Sequence, residues 1–223
     1  MSFSITVLAH GAIQDTFDRH VPLWRGLNSG THVNIIISPE DDPIDTTRTW
    51  RSARHQIMGK SQRFGPRWAA CFVWLFETLA HRTDCSHHLI FEYDSVSLGP
   101  DVVEQAGISG IPITNLDLSR YLAPRFCPPP WLIEHQAMLE LLRVARKYPD
   151  ITEEGWGDRL FGAWAYLACV PILAFQPPGF TEERIDPNNS NHMNNLERII
   201  RGGGRMLHGV KDEAALLAAQ RFL

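Results

Sequence analysis

The sequence predicts an α/β fold: a Rossmann-like domain over residues 1–223 with a mostly parallel central sheet flanked by helices. Three observations carry that expectation. Short strand-like runs stand at residues 5–9, 33–38 and 88–91, and in the last Leu89, Ile90 and Phe91 are continuous rather than alternating, as in a strand covered on both faces. Between them stand longer stretches with apolar residues at helical spacing, so strands and helices alternate along the chain. And 223 residues, 44% of them hydrophobic, are enough to bury a full core.

In chain order, the first strand is broken by His10-Gly11, where a loop facing a ligand would begin. Residues 15–27 put Phe17, Val21 and Trp24 on one helical face, with Pro22 kinking that helix or opening a shorter one. The second strand ends in Pro39-Glu40-Asp41-Asp42-Pro43. Carboxylates there are able to accept hydrogen bonds from a base or ribose; the alternative is a solvated turn of ordinary composition. Residues 48–65 are polar, and Gly59-Lys60-Ser61 within them is not a phosphate-binding P-loop, because Arg54 occupies the place of its first glycine. Lys60 and Arg63 remain as point charges for a phosphate in what otherwise reads as a solvated basic loop. Trp68, Phe72, Leu75, Phe76 and Leu79 then define an amphipathic helix whose stripe is core. The nearby His81, Cys85, His87 and His88 match no common zinc spacing.

The strand at 88–91 ends in Glu92 and Asp94. Ligands of open parallel sheets sit beyond the carboxyl ends of strands, and side chains spaced i, i+2 on extended backbone share a side. Oxygen ligands in that arrangement suit a hard divalent cation such as magnesium or manganese; merely solvated acids are the alternative. Residues 110–115 predict a further short strand, which Pro112 restricts to an edge or a strand start, so the sheet there need not be purely parallel. Residues 126–131 read as a stiff connection into a helix bearing Met138, Leu141, Leu142 and Ala145. Trp131 is either a core anchor or a platform for a sugar ring. Glu153, Glu154, Trp156 and Asp158 precede a helical face of Leu160, Trp164, Leu167 and Ala168, where acids also serve as ordinary helix caps. A last strand at 170–175 follows. Gly202, Gly203 and Gly204 stand close to His208 and Lys211, as a flexible linker or as backbone folded tightly against something, and a helix rich in Ala and Leu follows them.

Composition removes several classes of function. A net charge of −4, from 21 basic and 25 acidic residues with no long basic run, provides no electrostatic footprint for nucleic acid. No segment approaches the roughly 18 continuous apolar residues of a membrane span, and residues 1–10 do not resemble a signal peptide. Cys71, Cys85, Cys127 and Cys169 lack CxxC spacing and suit reduced thiols, so a cytoplasmic protein is expected.

In order, these signals resemble the GT-A-fold glycosyltransferases, family 2-like members in particular, and the resemblance covers most of the chain. Glu92-Tyr93-Asp94 is similar to the DxD motif of that fold, Gly157-Asp158 to its Glu-Asp motif, and His208-Gly209-Val210-Lys211 to its late histidine and lysine. The chain departs from the pattern twice: Glu92 replaces an Asp, and Gly157 replaces a Glu, which leaves Glu153 and Glu154 as competing bases beside Asp158. The resemblance implies a nucleotide-binding half over about residues 1–100 and an acceptor-binding half over 101–223. It implies a divalent metal held by Asp94, Glu92 and His208, and a nucleoside-diphosphate sugar, UDP- or GDP-linked, contacted by His10, Glu40, Asp41, Lys60, Glu92 and Lys211. A carbohydrate or other hydroxyl acceptor would meet Trp131 and Trp156, with Asp158 as the general base of an inverting transfer. The alternatives are a sugar nucleotidyltransferase, although the chain has no glycine-rich basic loop near its start, and a non-catalytic nucleotide-sugar-binding protein.

Overall fold

Strands β1 (Phe3–Ala9), β2 (His32–Ile37) and β3 (His55–Lys60) lead into helix α1 (Pro66–Ala80) and strands β4 (His87–Glu92), β5 (Ser95–Ser97), β6 (Ile108–Gly110) and β7 (Trp131–Glu134). Helices α2 (His135–Lys147) and α3 (Gly157–Leu167) follow, then β8 (Ile172–Ala174), β9 (Phe180–Thr181), α4 (Ser190–Arg201), β10 (Met206–His208) and α5 (Glu213–Gln220). The computed structural model describes residues 3–9, 32–37, 55–60, 66–92, 94–98, 105–111, 129–148, 157–182 and 184–223. The α/β class is as expected. The single, mostly parallel sheet is not: the described residues form two mixed sheets, one of seven strands in the order β3-β2-β1-β4-β7-β6-β8 and one of three in the order β5-β10-β9. In the larger, β3, β2, β1 and β4 pair in parallel, β7 lies antiparallel to both β4 and β6, and β6 pairs in parallel with β8.

β4 is the spine of this sheet. Leu89, Ile90 and Phe91 are each at most 2% exposed, which is why an unbroken apolar run was needed there. Ile90 is in register with Trp131 of β7, and Ile133 of β7 with Ile108 of β6, so these residues present one apolar face. Helices α1, α2 and α3 cover that face with Phe72, Leu75, Phe76, Leu79, Met138, Leu141, Phe161 and Trp164. Aromatic rings organise the packing. Trp131 stacks on Phe161 with centroids 4.0 Å apart and an interplanar angle of 7°, and Phe72 meets Trp164 edge-on at 88°. The indole N–H of Trp164 donates to the Tyr148 carbonyl at 2.8 Å, so its one polar atom is satisfied inside the core. Leu167, expected on the buried face of α3, is 40% exposed at the last turn of that helix.

A second core lies behind the small sheet, where Val96, Phe180 and Leu207 pack against Leu196 and Ile200 of α4 and Ala215, Leu216 and Ala219 of α5. Asn189 caps α4 by accepting from the Asn191 and His192 amides, and Asp212 caps α5 by accepting from Ala215. Among the described residues no helix is long and apolar enough to cross a membrane.

His88, at the amino end of β4, is completely buried and has a partner for each ring nitrogen. Nδ1 lies 2.6 Å from Ser4 Oγ, its register partner on β1, and Nε2 lies 2.9 Å from His135 Nδ1. Burial, reinforced by His135 and Arg82, pushes this imidazole down from 6.5 to about 3. The folded state therefore stays unprotonated where the unfolded chain takes up a proton, between about pH 6.5 and pH 3, and stability falls as pH drops through that window. The slope from one such group approaches about 1.4 kcal/mol per pH unit. His88→Gln, which keeps a polar partner for Ser4 without titrating, is expected to flatten the acid limb by that amount; denaturant midpoints at pH 7, 6, 5 and 4 check this, and parallel limbs for the two proteins would refute it.

Candidate active site at the junction of the two sheets

The seven-stranded sheet has a switch point between β1 and β4. From β1 the order runs one way through β2 and β3, while β4 lies on the other side. Such a reversal opens a crevice at the carboxyl ends of the two strands, and Glu92 is the carboxyl-terminal residue of β4. There the chain leaves the large sheet, turns through Asp94 and enters β5 of the small one.

β10 returns from the far end of the sequence to the same place. It pairs antiparallel with β5, putting His208 opposite Ser95. The amides of Gly209 and Val210 then donate to the Asp94 carbonyl at 3.1 and 2.8 Å. His208 and Lys211 thus meet Asp94 across more than a hundred residues of sequence: His208 Nδ1 lies 3.5 Å from Asp94 Oδ1, and Lys211 Nζ lies 4.0 Å from Asp94 Oδ2. One ligand atom each from Glu92, Asp94 and His208 lie within 4.8 Å of one another. No other group of three or more His, Cys, Asp or Glu side chains with that geometry occurs among the described residues, including the histidines around Cys85.

The local chemistry suits a cation. Asp94 is 3% exposed, and its Oδ1 is buried without a hydrogen-bond partner. A buried carboxylate oxygen in that state is costly unless something positive meets it. His208 is held below its ordinary value chiefly by burial; the Asp94 carboxylate opposes that shift and Lys211 adds to it. A neutral imidazole is the ligating form. These residues fit a divalent metal.

The other expected site residues divide by position. Trp131 is 1% exposed and stacked on Phe161, so it anchors the core and offers no open face to a sugar. Lys60, expected in a loop, is the last residue of β3. The Asp158 backbone lies in the first turn of α3. His10, Glu40, Asp41, Glu153, Glu154 and Trp156 lie outside the described residues. Two residues that the sequence reading passed over matter here. Ser95 is completely buried, with its Oγ 3.1 Å from His208 Nδ1. Gly209 has φ +93°, and a Cβ there would run into the Glu182 carbonyl oxygen. The glycines at 202–204 are no linker. Gly202 caps α4, and Gly204 packs against the Pro178 carbonyl and Ile199.

No protein-family model matches the chain, and no curated protein matches it.

Because the Gly209 amide also holds the Asp94 carbonyl, Gly209→Ala is expected to loosen β10 at the site. Strain of this kind costs about 1–3 kcal/mol, which lowers the melting temperature of a chain this size by about 2–12 °C. A thermal melt and a manganese titration of the variant check both halves, and unchanged melting and manganese affinity would contradict this account of the turn.

Proposed function

We propose that the chain is a metal-dependent glycosyltransferase that moves a sugar from a nucleoside-diphosphate donor to an acceptor hydroxyl. One observation carries the reading: Glu92, Asp94 and His208 converge at the carboxyl end of β4, beside the sheet's switch point, with Lys211 against the same aspartate. Crevices of this kind take nucleotides, and a carboxylate–imidazole group beside a lysine suits a diphosphate carried on a divalent ion. That ion, when bound, supplies Lewis acidity at the leaving diphosphate.

The remaining roles fall to side chains. Lys211 offers a fixed positive charge to a phosphate oxygen. Asp158 is the general base: the acceptor oxygen forms a bond to the anomeric carbon as the bond from that carbon to the diphosphate oxygen breaks, and the hydroxyl proton passes to the carboxylate. The anomeric centre inverts. The Asp158 backbone lies in the first turn of α3, whose next turn packs Phe161 on Trp131, and Trp131 is paired with Ile90, two residues before Glu92. That run of contacts supports a base near the end of β4.

The test uses the full chain with manganese and a panel of UDP- and GDP-sugars, reading nucleoside diphosphate released with and without chelator. Release that chelator abolishes and that Asp94→Asn loses is the expected result. Pyrophosphate released from a nucleoside triphosphate and a sugar phosphate would identify a nucleotidyltransferase instead, and binding without turnover a carrier of nucleotide sugars. Asp158→Asn is expected to lower turnover by about 10²–10⁴-fold with donor affinity near that of the wild type. Full turnover in that variant together with loss in Glu154→Gln would move the base to Glu154.

A further inference from the structure

Ser95 touches two polar atoms in a fully buried setting. Its hydroxyl donates to the Pro129 carbonyl at 3.3 Å, and its Oγ lies 3.1 Å from His208 Nδ1. A hydroxyl has one proton to give, and a carbonyl oxygen only accepts. With that proton directed at Pro129, the contact with His208 is a hydrogen bond only if Nδ1–H is the donor and Oγ the acceptor. A second acceptor faces the same nitrogen, since Asp94 Oδ1 is 3.5 Å from Nδ1. Both neighbours of Nδ1 therefore favour a proton there, and the lone pair of the neutral ring falls on Nε2.

We infer that Ser95 is a positioning residue of the metal centre, holding His208 as its Nδ1–H tautomer so that Nε2 is the nitrogen presented to the metal. The strand pairing makes this a built feature. Ser95 and His208 are register partners across β5 and β10, so the backbone that brings the imidazole to Asp94 also brings the hydroxyl that orients it. Pro129 lies two residues before the start of β7, and its carbonyl anchors the serine from the large-sheet side. Ligating histidines commonly donate their second ring N–H to a fixed acceptor, and removing such an acceptor typically lowers metal affinity about 10–100-fold.

The inference rests on the metal centre proposed above but not on the sugar chemistry, so it is tested without donor. Long-range ¹H–¹⁵N correlation spectra of the uniformly labelled full chain at neutral pH report the tautomer of each histidine, and His208→Asn assigns the relevant signal. His208 is expected as the Nδ1–H form. In Ser95→Ala that preference is expected to weaken and manganese affinity, read from the electron paramagnetic resonance of free Mn²⁺, to fall about 10–100-fold. Ser95→Thr, which restores a hydroxyl on the same strand, is expected to recover both. An Nε2–H tautomer in the wild type overturns the assignment, even if Ser95→Ala does not fold. So does a folded Ser95→Ala with wild-type tautomer and affinity. A wild type with Nδ1–H His208 that binds no manganese removes the metal centre itself, a failure distinct from that of Ser95.

Discussion

The paired hydrogen bonds from the Gly209 and Val210 amides to the Asp94 carbonyl are the constraint on which the arrangement of the site depends. They join the turn after β4 to the end of β10 and so fix the register that sets His208 opposite Ser95. Energetically they are modest. Two net hydrogen bonds contribute about 1–3 kcal/mol, too little to order the returning segment against its conformational entropy. The larger contribution comes from burial, since Leu207, Val210, Phe180, Leu196 and Ile200 are all at most 7% exposed and a fully buried side chain of this size contributes about 1.5–3 kcal/mol. Packing of α4 and α5 on the small sheet supplies the stability, and the two backbone bonds convert it into a defined position for the imidazole.

The two ends of β4 show how the same strand treats polar burial in opposite ways. At the amino end His88 is wholly enclosed, yet both its ring nitrogens are met, by Ser4 and His135. Two residues past the carboxyl end Asp94 is nearly as enclosed, and its Oδ1 accepts no hydrogen bond, with His208 Nδ1 at 3.5 Å. A satisfied buried network rigidifies a core, whereas an orphaned carboxylate oxygen is a standing cost that a sequence keeps only for a reason. Burial alone therefore does not distinguish structural from functional polar residues in this chain. Nor does an unmet polar atom by itself, since Thr6 Oγ1 and Ser109 Oγ are also buried without a hydrogen-bond partner; what sets Asp94 apart is that its unmet atom is a carboxylate oxygen close to Glu92 and His208.

Much of this was legible in the sequence, and the parts that were not share a cause. The apolar run at 88–91, the stripe through Phe72 and Phe76 and the helical face around Leu141 carry enough periodic residues to specify β4, α1 and α2. β5, β9 and β10 are two or three residues long, and no period can be read over that length. β7 was hidden differently: Trp131–Glu134 runs straight into α2 without a turn, so it read as a connection to that helix. Glu92 and Asp94 were readable as acids at the end of a strand, whereas His208 and Lys211 were joined to them only through the resemblance to a late histidine and lysine. Ser95 was not, since a serine after a strand is ordinary turn composition and its meaning comes only from pairing with a residue 113 positions away. Gly209 did carry a signal in its place after His208, where a glycine marks positive φ.

Under the proposed function, charge decides which form of phosphate the site would admit. Glu92 and Asp94 bring two carboxylates against the single ammonium of Lys211, and His208 is neutral, so the four side chains together carry negative charge. A diphosphate approaching that group alone meets repulsion, strengthened where Asp94 is removed from water and the local dielectric is low. A divalent cation would reverse the sign of the group and at the same time meet the Asp94 oxygen that accepts no hydrogen bond. The buried carboxylate and the anionic ligand are thus mutually compatible only through a third, positive species. Lys211, 4.0 Å from Asp94, is too little charge to serve as that species, and on this ground the proposed function puts a metal rather than a lysine at the centre of the site.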